Sequence, residues 1–277
     1  MTQVFLILAH EKADQLSALT ERLAPADGPN RAVVHIDRKS PLWRETHGRF
    51  LAGNSNVTLV ARPVAVRWGH ASQLAATRLL LRAALARPFD LAHLISGADW
   101  PVVPPAAMAA SFAGACHIEV VPGVQSERMK RIRLDARMLR PDPGRPSEWY
   151  PARTLRHLSA LLPARRLQPW GPWQKGSQWW SLPRDVCEVV LAGLDRAFAT
   201  GLLAGTVCAD EHLIQTIVAH QFPDRIATNR RFLRWGEGAS PAILGAGDLP
   251  EILASGAWFA RKVSAEADDF FHTLPSS

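Results

Sequence analysis

Cysteine is scarce in this sequence: Cys116, Cys187 and Cys208 stand far apart, with no C-x-x-C pair. That spacing excludes a disulfide framework and a zinc knuckle, and it fits a reducing compartment. Long apolar runs are missing too. The N-terminal run Val4 to Ala9 is about six residues against the roughly 20 of a membrane-spanning helix, and it lacks a basic flank. It reads as a first strand, which points to a cytoplasmic protein and leaves peripheral attachment at the inner membrane open. Phosphate-binding glycine loops of the G-x-x-x-x-G-K or G-x-G-x-x-G type are absent, as are H-E-x-x-H and G-x-S-x-G. Metalloprotease and serine-nucleophile chemistries are therefore unsupported.

What is present suits one large domain. The chain has 277 residues, 47% of them hydrophobic, enough to bury a sizeable core, and we read residues 1–277 as a single domain. The formal charge of +7 is concentrated: residues 126–175 hold twelve Arg or Lys against Glu127, Asp135, Asp142 and Glu148, a local +8. Seven of the 21 prolines fall in the same block, between Pro141 and Pro172. Basic excess with proline-rich irregularity predicts a long, irregular, functional excursion from the core that suits an anionic partner or an acidic membrane surface.

Strand and helix signals alternate elsewhere. Gln3 to His10 is apolar and partly β-branched, and Leu16, Leu19 and Leu23 follow at helical spacing. Ala32 to Ser40 is a second strand ending in charge, Val57 to Ala61 a short third, Gln73 to Ala86 a helix, and Phe89 to Ser96 a central strand. Such alternation predicts an α/β fold with a mostly parallel sheet flanked by helices. Ligands of these sheets sit beyond the carboxyl ends of the strands, here His10, Asp37 and the turn carrying Asp99 and Trp100. In Gln178-Trp179-Trp180-Ser181, adjacent indoles point to opposite faces, so one can be core while its neighbour faces a pocket. Asp210 and Glu211 are predicted to occupy the first turn of an amphipathic helix carrying Leu213, Ile214, Ile217 and Val218. Acids there ordinarily act as a cap and a first-turn charge.

Taken together and in order, Ile7 to Lys12, His35 to Ser40, Trp68 to Ser72, Ser96 to Pro101, Lys175 to Leu182, Asp210 to Ile217 and Phe259 to Val263 resemble the core-2/I-branching glycosyltransferases. That family includes β-1,6-N-acetylglucosaminyltransferases and peptide O-xylosyltransferases. Gly245 to Leu249 looks like the first branch and Phe259-Ala260-Arg261-Lys262 like the second, so the donor sugar stays open between N-acetylglucosamine and xylose. The resemblance implies a GT-A fold, inverting transfer from a UDP-sugar to a glycan or glycoconjugate hydroxyl, and no metal or other cofactor. The sequence has no Asp-x-Asp, the pair that holds a cation in most GT-A enzymes.

Similarity places the general base at Glu211, donor contacts at Leu8, His10, Asp37, Asp99, Gln178, Trp179 and Ser240, and diphosphate contacts at Arg261 and Lys262. It places the acceptor at Glu127, Arg128 and Trp180. An arginine that some members carry before the Gly245 block falls on Ala239 here, with Arg234 a candidate substitute. The Golgi anchor and disulfides of animal members are absent, as expected of a bacterial form. From a different class, the basic block with Trp149, Tyr150, Trp170 and Trp173 also fits a nucleic-acid-binding protein, although no nucleic acid is expected as a partner of the transferase.

Overall fold

The structure is a computed structural model that describes residues 1–134, 146–162, 169–236 and 241–263, without the side chains of 146–150 and 152. Its strands in chain order are β1 (Gln3–Ala9), β2 (Arg31–Ile36), β3 (Val57–Leu59), β4 (Leu91–Ser96), β5 (Asp99–Pro101) and β6 (Cys116–His117). There follow β7 (Val121–Pro122), β8 (Gln174–Lys175), β9 (Trp180–Pro183), β10 (Ile226–Ala227), β11 (Arg231–Leu233) and β12 (Phe259–Arg261). Seven of them form the central sheet in the order β10-β6-β9-β4-β1-β2-β3. All its pairings are parallel except those of β9 with β4 and β6. The expected α/β architecture is therefore present, with β9 as its antiparallel member.

β1 sits at the centre because it is apolar on both faces. Val4 and Leu6 enter one core with Leu74, Leu80, Val186, Val190 and Ile217, from the helices Ser72–Leu85, Arg184–Ala199 and Leu213–Gln221. Phe5 and Ile7 enter the other, with Leu16, Leu19 and Leu23 of the helix Ala13–Leu23 and with Trp258 and Phe259. The alternation follows the strand period of two, and burial of each large side chain is worth about 1.5–3 kcal/mol. A second sheet, β11-β12-β5, lies on the Phe5 side. Its antiparallel register sets Arg261 opposite Asp99. In the central sheet, Ser181 stands opposite both His93 and His117.

Two elements differ from the sequence reading. Asp210 and Glu211 are not in the helix: they occupy a 3-10 turn, Ala209–Glu211, that ends at His212 (φ −133°, ψ −46°) before Leu213–Gln221 begins. Hydrophobic periodicity cannot register that break, because Leu213, Ile214, Ile217 and Val218 are all buried in either case. The basic block is also less irregular than its prolines suggested. It contains a short helix, Glu127–Lys130, and a longer one, Pro146–Ser159, with Pro151 inside it. Among the described residues no helix is long and apolar enough to cross a membrane.

Candidate active site

Strand order reverses at β1: β2 and β3 lie to one side and β4 to the other. Loops leaving β1 and β4 therefore part in opposite directions, and a crevice opens at their carboxyl ends. A pocket of about 1540 Å³ occupies it, lined among others by Leu8, Ala9, His10, His35, Asp37 and Ser96 from these strand ends. Single small-molecule sites run to roughly 300–1,000 Å³, so this cleft has room for one such ligand and part of a second.

Three groups build its walls. Under β2, Asp37 Oδ1 accepts from the backbone N–H groups of Lys39 and Val66, each at 3.0 Å. Beside it His35 Nε2 accepts from Val64 N–H at 3.0 Å. Burial pushes the His35 imidazole down to about 4, so it is neutral and serves as an acceptor. These bonds pin the loop at 64–66 across the end of β2.

The second wall comes from the cross-strand pair. Asp99, fully buried, accepts from Ser96 N–H at 2.9 Å and from the Arg261 guanidinium at 2.5 Å. The guanidinium carbon of Arg261 lies 4.2 Å from the Trp179 ring centroid, so the cation is held between a carboxylate and an indole face. Lys262 follows on the pocket wall, and its backbone carbonyl accepts from Leu244 N–H at 2.7 Å. Behind them Arg231 donates to Trp180 O at 2.7 Å and to Ser181 Oγ at 2.9 Å, and it stacks on Phe259 at 4.7 Å. Arg231 makes no ion pair with a described carboxylate. Burial pushes its guanidinium down to about 9, partly offset by the charge of Asp99.

The acid pair forms the third wall. Glu211 Oε2 accepts from Arg128 at 3.1 Å, with Lys175 Nζ at 3.9 Å, and the side chain is 32% exposed. Both contacts fall on Oε2, and Glu211 lines the cleft. Gly176 N–H donates to Glu211 O at 2.9 Å and fixes the turn from behind. A Cβ on Gly176 would stand 1.8 Å from Glu119 O, so only glycine lets these backbones meet. Asp210 differs from its neighbour: it is 5% exposed, and its Oδ1 has no hydrogen-bond partner. Desolvation, and then the charge of Glu211, push its carboxyl up to about 7.

The Core-2/I-Branching enzyme family matches residues 4–250, nearly the whole described chain. The chain belongs to that family. No curated protein matches it. One solved structure, described as the bifunctional glycosyltransferase WbbM in its apo form, is similar over 94% of this chain and 45% of its own, at 13% identity and a TM-score of 0.43. The chain spans less than half of that neighbour, and the likeness is too loose to carry any residue's role across.

The Core-2/I-Branching resemblance named twelve other residues besides Glu211, and the structure distributes them unevenly. Leu8, His10, Asp37, Gln178, Trp179, Arg261 and Lys262 line the cleft, and Asp99 holds Arg261 from beneath. Gln178 accepts from Gln73 at 3.3 Å. Arg128 reaches the cleft through Glu211, whereas Glu127 pairs with Lys130 and Arg131 on the surface. Trp180 is fully buried in the core, so of the two indoles it is Trp179 that faces the pocket. Ser240 lies outside the described residues. Arg234 is not in the cleft lining; it binds Asp248 and Glu251.

Sequence reading missed Arg231, Asn229, Glu119 and Trp235, all on the cleft lining, and gave Lys175 and Gly176 no role. Nothing local marks Arg231, which becomes a wall residue only when β11 pairs with β12. The close approach of residue 176 had one signal, a glycine beside a strand.

Proposed function

We propose that the protein moves a sugar from a UDP-sugar to a hydroxyl of a glycan or glycoconjugate, with inversion, with Glu211 as base and without a divalent cation. The observation that carries this reading is that Glu211 lines the same cleft as Trp179, Arg231 and Arg261, the last held by Asp99. In the proposed step Glu211 Oε1 takes the acceptor hydroxyl proton while that oxygen attacks the anomeric carbon. The bond from that carbon to the β-phosphate oxygen breaks, and UDP leaves with the electron pair. A single displacement inverts the centre, and one base suffices because the leaving group needs no acid.

UDP departs with growing negative charge, which fixed cations in a dry site stabilise. Arg231 makes no ion pair with a described carboxylate and supplies positive charge that Asp99 only partly offsets, and Lys262 adds to it. Arg261 is already paired with Asp99 and holds Trp179, whose indole face suits the apolar side of a sugar ring. Arg128 and Lys175 orient the base through Oε2.

The nucleic-acid reading fares worse. Trp173 is 5% exposed and Trp170 packs against the same core, which removes two of its four stacking rings; the side chains of Trp149 and Tyr150 lie outside those described. The test is a UDP-release assay across UDP-sugars, with Glu211→Gln as control. Turnover should fall by at least ~100-fold in that variant while UDP affinity stays within a few-fold. Near wild-type turnover would remove Glu211 as the base, and a melting temperature raised by oligonucleotide but not by UDP would favour the nucleic-acid binder.

A further inference from the structure

The central sheet carries one polar rung inside an apolar core. Across β1, β4, β9 and β6 the register sets Phe5, His93, Ser181 and His117 side by side. His93 and Ser181 are fully buried. Phe5 stacks on the imidazole at 4.9 Å between ring centroids, with Phe259 at 5.5 Å and Trp258 at 5.7 Å closing around it. Polar groups sealed this far inside are costly unless each finds a hydrogen-bond partner.

The partners exist, and the direction of each bond follows from one end of the row. Pro105 O can only accept, so the Gln3 group 2.8 Å from it is the amide Nε2, and Gln3 Oε1 is the atom 2.9 Å from His93 Nε2. Burial, and then the charges of Arg231 and His117, hold the His93 imidazole well below its ordinary range. The ring is therefore neutral, with its one proton on Nε2 donated to Gln3 Oε1. Nδ1 is then an acceptor, and it takes the Ser181 hydroxyl proton at 2.7 Å. The Ser181 oxygen keeps its lone pairs for Arg231 Nη2 at 2.9 Å, while Trp180 O accepts from the same nitrogen at 2.7 Å.

The row thus ends on a cation of the cleft wall. Arg261 is held there by the carboxylate of Asp99, which cancels charge as it fixes position. Arg231 is held by a hydroxyl and a carbonyl, which orient a guanidinium without neutralising it. We propose that His93 and Ser181 are positioning residues for anion binding: they lock Arg231 on neutral acceptors, so that its charge stays available to the phosphates of a ligand in the cleft. Nη2 is occupied, and Nε is shielded from solvent with no partner among the described residues. Nη1, which has one long bond to Arg230 O at 3.3 Å, is the donor that a phosphate can meet. Naming the ligand a nucleoside diphosphate rests on the proposed function; the hydrogen-bonded row does not.

Calorimetry on the full chain with UDP, uridine and inorganic pyrophosphate tests the proposal. Ser181→Ala should weaken UDP and pyrophosphate about tenfold, as expected for a lost hydrogen bond to a charged group, and leave uridine within about twofold. Arg231→Gln should lose at least as much, and Ser181→Ala added to it should weaken binding little further, because the hydroxyl acts only through the guanidinium. Ser181→Cys fills nearly the same space with a weak acceptor and should behave like the alanine variant, which keeps the comparison available if alanine destabilises the sheet. In nitrogen-15 spectra of the wild-type histidines, His93 should stay neutral at neutral pH with its proton on Nε2. Equal losses for UDP and uridine, additive losses in the double variant, or a His93 proton on Nδ1 each overturn the proposal. A wild-type chain that binds pyrophosphate but not UDP would refute the nucleotide reading alone, and the Ser181 comparison on pyrophosphate would then decide this one. Binding of neither overturns both.

Discussion

Replacing Asp210 with asparagine isolates one buried charge from everything around it. The carboxyl is pushed from 3.8 up to about 7, first by burial and then by Glu211, so the folded chain holds this proton more tightly than the unfolded chain does. Between about pH 4 and pH 7 the folded state then carries more protons, and stability falls as pH rises through that window before levelling off. Roughly three pH decades at about 1.36 kcal/mol each set an upper limit near 4 kcal/mol. Relaxation and water entry at a pocket wall bring the expected loss to about 1–3 kcal/mol. Asp210→Asn keeps the shape and removes the titration. Denaturant melts of both proteins from pH 4 to pH 8 should show the variant gaining on the wild type up to about pH 7 and holding a constant lead above it. Groups such as His35 titrate in both proteins and largely cancel, so the difference between the curves reports Asp210 together with its coupling to Glu211. A difference that does not change across this range would mean that Asp210 keeps an ordinary acidity in the fold and is not the unpaired buried acid described above.

Gly176→Ala should lower stability by about 1–3 kcal/mol or more, read as a drop in melting temperature, because the new Cβ meets the Glu119 carbonyl. Arg231→Gln should weaken UDP binding at least tenfold in calorimetry while leaving uridine binding unchanged, since a lost charge-assisted hydrogen bond is worth roughly 1.5–3 kcal/mol; equal losses for both ligands would show that Arg231 only holds the wall. Lys262→Ala should depress turnover and UDP affinity together, because the charge it meets exists in the ground state and grows as the bond breaks. Activity should survive EDTA; activity lost on chelation and restored by manganese would refute cation-free transfer.

The sheet was legible because β1, β2 and β4 are largely apolar stretches, broken only by residues such as His35 and His93, and a stretch buried on both faces needs no partner information to be recognised. Strand ends were legible for the same reason, and they carry His10 and Asp37 to the cleft. The adjacent tryptophans were half legible. Alternation predicts that Trp179 and Trp180 part, but which one enters the core depends on the pairing of Trp180 with Leu94. What could not be read was anything decided by distant pairing. Arg231 meets Ser181 across 50 residues, and Arg261 meets Asp99 across 162. Arg234 carried the expected charge, yet Asp248 and Glu251 lie close enough to hold it on the surface. The helix Pro146–Ser159 was hidden by Pro151, which ordinarily argues against a helix interior.

The pairing of β12 with β5 makes completion of the chain a condition for assembling the cleft. Asp99 is in place as soon as β4 and β5 exist, but its cationic partner arrives on the last described strand, along with the Phe259 ring that backs Arg231. A nascent chain that has emerged only as far as β11 contains every strand of the central sheet and Glu211, but lacks one wall of the cleft and the Trp258 and Phe259 side chains that pack under Phe5. Synthesis order thereby works as a timer: during translation the acid pair precedes the cross-strand cation, and a truncated product would retain Asp210 and Glu211 without the Asp99–Arg261 clamp.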